Sequence, residues 1–114
     1  MGSAYLGALG LTLAIEMPVY AGTLRGGLGI STQRGLAAGA AVNLISHPLA
    51  FLIVLPALDR PLGFVPALTV TEAGVWVLES ALLWVWWRRD LDLLSLAALV
   101  ANVLSLAVGA WLLL

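Results

Sequence analysis

The stretch GLAAGAAVNLISHPLAFLIVLPAL, Gly35–Leu58, decides how the whole chain is read. It is apolar for longer than the roughly 20 helical residues that cross a bilayer core of about 30 Å, yet it carries Asn43, Ser46, His47 and Pro48 near its middle. Polar side chains at that depth are costly, so an ionisable residue there marks a candidate functional site by default. The same stretch steps Gly35, Gly39, Asn43, His47 in fours. A small-residue surface for close helix approach therefore leads directly into a polar pair.

The rest of the chain has the same character. Its 114 residues are 62% hydrophobic, against about 45–50% apolar in soluble domains, which points to an integral membrane protein. The five arginines (Arg25, Arg34, Arg60, Arg88, Arg89) lie in short polar breaks. Three of the six acids, Glu16, Glu72 and Glu79, lie inside apolar runs. A formal net charge of −1 gives no footprint for nucleic acid, and the absence of cysteine rules out disulfides and thiolate metal sites. Glu16 interrupts the first apolar run and no basic segment precedes it, so no cleaved signal peptide is expected. Leu6 stands where an acylation signal wants Ser or Thr.

Four runs have spanning length: about 4–24, 35–58, 67–87 and 93–114. The connections Arg25–Arg34, Asp59–Pro66 and Arg88–Asp92 are short and rich in Gly, Pro or charge. The expected fold is an all-α membrane protein, four transmembrane helices in an antiparallel bundle forming a single transmembrane domain over 1–114. The first and third connections hold four of the arginines, which places them on the cytoplasmic side and both termini outside a prokaryotic inner membrane. Trp84, Trp86 and Trp87 at one level and Tyr5 and Trp111 at the other fit interfacial belts.

Helical spacing aligns the polar residues into four stripes. They are Tyr5, Thr12, Glu16 and Thr23; Gly35, Gly39, Asn43 and His47; Thr69, Glu72, Trp76 and Glu79; and Ser95, Ala98, Asn102, Ser105 and Gly109. Glu16, His47, Glu79 and Asn102 fall near their helix midpoints, and Glu72 precedes Glu79 by two turns, roughly 10 Å along the axis. Pro18 and Pro48 remove the amides that would bond Ala14 and Leu44, an arrangement tolerated at depth where protein or water satisfies the carbonyls.

The two halves also resemble each other. Leu-Ala-Ile-Glu16 precedes Arg25 by the same interval that separates Trp-Val-Leu-Glu79 from Arg88, and Asn43-Leu-Ile-Ser46 matches Asn102-Val-Leu-Ser105. The chain reads as two fused helical hairpins with a pseudo-twofold along the membrane normal. His47, opposite Leu106, and Glu72, opposite Leu9, break that symmetry.

Three carboxylates at depth with no lysine or arginine beside them hold protons or bind a cation. The leading expectation is a divalent metal (Zn, Mn or Fe) on Glu16, His47, Glu72 and Glu79, supported by Asn43, Ser46, Asn102 and Ser105. A Glu-x-x-His motif is absent and there is one histidine only. The alternatives are a proton or cation relay along Glu72 and Glu79, an intramembrane metal-dependent hydrolase with His47 as an acid/base partner, and a structural subunit of a membrane complex. The expected partners are the lipid bilayer and a second copy or a larger membrane complex, since four helices are few for alternating access. Thr12, Thr23 and Thr69 read as packing or back-bonding residues, and Trp76 as a spacer.

The order Glu16, Asn43-x-x-Ser46-His47-Pro48, Glu72-x6-Glu79, Asn102 resembles the pattern of small four-helix prokaryotic membrane proteins to which no activity attaches. The resemblance implies the four-span fold and one shared site. Glu, His and Asn on facing helices are also similar to those of intramembrane metalloproteases, although their paired-Glu signature and second histidine are missing here.

Overall fold

A computed structural model describes residues 2–113. Among them there is no strand, and four helical rods are each long and apolar enough to cross a bilayer. The first rod is α1 (Gly2–Leu28). The second is continuous from Thr32 to Leu62, made of α2 (Thr32–Pro48), a π-helical segment (Leu49–Val54) and α3 (Leu55–Leu62). The third is α4 (Phe64–Trp87) and the fourth α5 (Leu91–Leu113).

The rods outrun the expected spans, so each connection is a tight reversal. Arg25 continues α1 and donates to Thr32 Oγ1 (2.9 Å), and Ser31 caps α2 by accepting from the Arg34 amide (3.4 Å). The second reversal falls on Gly63, whose φ of 82° suits a residue without a side chain. In the third, Arg88 takes the left-handed cap position with φ 55°, its guanidinium 4.7 Å over the Trp84 ring, and Arg89 donates to Leu28 O (2.8 Å).

Pro48 does more than kink its rod. Its ring and missing amide disrupt the ladder toward Leu44, and the next turn widens, so that the Leu55 amide reaches Ala50 O five residues back. The π-helical segment keeps the rod unbroken while rotating the faces beyond His47 relative to those before it.

Helix α1 packs against α2 and α5, and α4 packs against α5 and the second rod. Close approach of α1 and α2 rests on the glycine step. A Cβ on Gly35 would stand 2.7 Å from Ala21 Cα, and one on Gly39 would stand 3.1 Å from Met17 Cα and 3.2 Å from the Tyr20 ring.

Packing is uneven along the rods. Tyr20, Leu24, Ile30, Ala38, Val42, Leu83, Leu94, Ala97, Ala98 and Ala101 form one buried apolar cluster. All of it lies in the half that ends at the arginine-bearing turns. In the opposite half, no residue of α1 from Ala4 to Ile15 and none of α5 from Val103 to Leu112 is buried.

Gly35→Leu should therefore separate α1 from α2 and lower the unfolding midpoint in detergent sharply, because the obstacle is backbone. Gly22→Ala, with nothing within 4 Å of the added methyl, should leave the midpoint unchanged or raise it.

Candidate functional site

Glu79 is fully buried in α4 and accepts hydrogen bonds from all three neighbouring rods. The Tyr20 hydroxyl of α1 donates to its Oε1, as does the Asn102 amide of α5 at 3.1 Å, and Ser46 Oγ of α2 donates to Oε2 at 2.5 Å. Each donor arrives by helical register. Asn102 stands on the inner face of α5 with its amide also donating to Ala98 O (2.8 Å), and Ser46 follows Asn43 by one turn on α2.

Glu16 is the other buried carboxylate, 1% exposed on α1. Ser105 Oγ donates to its Oε2 (2.6 Å), and Ser105 stands one turn beyond Asn102, so α5 touches both acids with adjacent residues. Asn43 lies against Glu16 from α2, and one N–H of its amide donates to Gly39 O at 2.8 Å. Glu16 Oε1 is buried and has no hydrogen-bond partner. Such an orphan is uncommon, since most buried polar atoms are satisfied. All five arginines are exposed, so neither acid has a cationic side chain beside it.

His47 and Glu72 stand apart from this pair. His47 is buried, but its Nδ1 lies 3.3 Å from the Tyr5 hydroxyl and its ring centroid lies 4.5 Å from that of Phe51, tilted by 31°. Glu72, half-buried, makes no hydrogen bond among the described residues and lies on the side of Glu79 away from the arginine turns. Among the described residues no three His, Asp or Glu side chains group closely enough to hold a metal ion. The structure thus gathers Glu16, Asn43, Ser46, Glu79, Asn102 and Ser105, and sets His47 and Glu72 toward the chain-termini end.

Tyr20 is the site residue that the polar stripes omit. It follows Glu16 by four residues, which puts it on the same face, and that spacing was the available signal. The remaining hydroxyls are local: Thr23, Thr69, Thr71 and Ser80 each donate to the carbonyl four residues earlier. Trp76 is a tie as well as a spacer, its Nε1 donating to Ser95 O (2.8 Å) between α4 and α5. No family model, curated protein or solved structure matches this chain.

Ser46→Ala should cost about 1 kcal/mol of stability in reversible unfolding from mixed micelles, the scale of an interhelical hydrogen bond in a membrane protein. Thr71→Val, which loses only a bond within its own helix, should cost less. Equal losses would remove Ser46 from the group that holds the rods together.

Proposed function

We propose that the chain is a multi-pass protein of a prokaryotic inner membrane, a four-span antiparallel bundle whose Glu16–Glu79 pair holds and exchanges a proton as part of a proton relay or proton-coupled transport. The observation that carries this reading is the contrast between the two acids. Glu79 has both oxygens on neutral donors, while Glu16 keeps one buried oxygen bare and no cation side chain is at hand. Two carboxylates in one dry site do not both carry charge without a counter-ion, so a proton or a cation completes the pair.

A divalent ion (Zn, Mn or Fe) is the competing occupant, because the bare oxygen is a hard ligand atom. It would have to displace Tyr20, Ser46 or Asn102 to engage Glu79 fully, and neither His47 nor Glu72 closes a ligand set with the two acids. A proton needs no such rearrangement.

The two-hairpin reading is a further part of this proposal. Ser46 reaches Glu79 as Ser105 reaches Glu16, and Asn43 and Asn102 bond the carbonyl four residues back at the same 2.8 Å. A pseudo-twofold along the membrane normal exchanges each of these pairs. Arginine distribution puts the arginine turns in the cytoplasm and the termini outside. Glu72, His47 and Tyr5 then lie on the outer approach to the pair, and the apolar cluster seals its inner side.

In proteoliposomes with an imposed pH gradient, the wild-type chain should carry protons, and Glu16→Gln and Glu79→Gln should each fall to the level of empty vesicles. Equal flux in all three proteins would overturn the reading. Elemental analysis after loading with Zn, Mn or Fe separates the competitor: stoichiometric metal, lost in both Gln variants, would replace the proton by an ion.

A further inference from the structure

Glu16 and Glu79 occupy matching places in the two halves, and their neighbours match apart from two: the Asn43 amide does not make to Glu16 the bond that Asn102 makes to Glu79, and the Tyr20 hydroxyl has no counterpart. The residue four after Glu16 is Tyr20, and the residue four after Glu79 is Leu83. Both side chains are fully buried. Tyr20 reaches across to donate to Glu79 Oε1, whereas Leu83 has nothing to donate in return, and Glu16 Oε1 is the buried oxygen without a partner. The orphaned atom is thus the place where the matching hydroxyl is missing.

We infer that Tyr20 is a positioning residue that makes the two acids unequal, holding Glu79 as a hydrogen-bond acceptor and leaving Glu16 Oε1 as the oxygen that receives the proton from a hydronium ion. This rests on the proton-holding reading and assigns its atoms. Three donors from three helices fill three of the four lone-pair positions of Glu79, and bonds to a charged carboxylate are stronger than bonds to a neutral carboxyl, so protonation there weakens three existing hydrogen bonds. At Glu16 an O–H bond forms on an oxygen that has no hydrogen bond to lose, while one O–H bond of hydronium breaks and water departs. The ionisable groups facing Glu16 are Glu79 and, further off, Glu72 from α4 and Tyr20 across the pair. From α2 it meets Asn43, and from α5 Ser105, neither of which ionises.

Infrared spectroscopy of the protein in lipid, with and without deuterium exchange, reads the protonated carboxyl stretch directly. That band should vanish in Glu16→Gln and persist in Glu79→Gln. The exchange variant Tyr20→Leu/Leu83→Tyr keeps the two side chains and swaps their places, and its band should become dependent on Glu79. Tyr20→Phe, the mildest change, covers the case in which the exchange variant does not fold: its band should divide between the two acids. A wild-type band lost in Glu79→Gln but kept in Glu16→Gln would overturn the assignment and leave the proton-holding reading standing. No protonated carboxyl band at any pH at which the protein stays folded would overturn both.

Discussion

Four helices meet at one carboxylate. Glu79 is the one acceptor that α1, α2 and α5 all address, through Tyr20, Ser46 and Asn102. Helices long and apolar enough to cross a bilayer gain nothing there from hiding apolar surface from one another, so in that setting close backbone packing and interhelical hydrogen bonds hold them. These two means are coupled here. The virtual methyl on Gly39 would touch the Tyr20 ring as well as the α1 backbone, so the glycine step that lets α1 and α2 approach also makes room for Tyr20 on its path to Glu79. The small-residue surface and the polar centre are parts of one arrangement, because the second depends on the first for its longest-reaching donor.

Much of this was legible in the sequence. Length and hydropathy give the four rods, and helical period with depth puts Glu16, Asn43, Glu79, Asn102 and Ser105 on facing stripes, but it puts His47 and Glu72 with them as ligands and leaves Ser46 as a supporting residue. Helix ends were less legible. Arg25, Asp59 and Arg60 look like loop residues by charge, but each continues a helix at the polar margin, where Arg25 bonds Thr32 across the turn. Tyr20 was hidden because one tyrosine near the end of an apolar run reads equally well as an interfacial anchor. The spacing from Glu16 puts it on the inner face of α1, but its partner on α4 comes from reach across the helices, which periodicity within α1 does not encode.

His47 shows a different limit. Its burial was foreseeable from its place in α2, but its partners were not: Tyr5 comes from α1, and Phe51 lies in the turn after Pro48, which widens into a π-helix. A face extrapolated at 3.6 residues per turn loses register there. The imidazole meets Tyr5 and Phe51 and leaves the carboxylates to hydroxyl and amide donors. Glu72 differs again: it lies on the expected face of α4, but two turns from Glu79 the neighbouring helices offer it no donor among the described residues.

The uneven packing gives the polar centre a direction. Between the acids and the arginine turns Leu24, Leu83, Leu94 and a run of alanines form a buried apolar cluster, and the hydroxyls of Thr23 and Ser80 in that half are spent on carbonyls of their own helices. On the other side α1 and α5 lose their buried residues, and Thr12, Glu72 and Tyr5 remain partly exposed along the rods. A species that reaches Glu16 without passing the apolar cluster must come from the chain-termini end. The same cluster supplies Leu83, so the residue that withholds a hydroxyl from Glu16 also belongs to the seal behind it. In the second half of the chain leucine stands where the first carries tyrosine, and that one difference bears on both the apolar cluster and the hydrogen bonding of the acids.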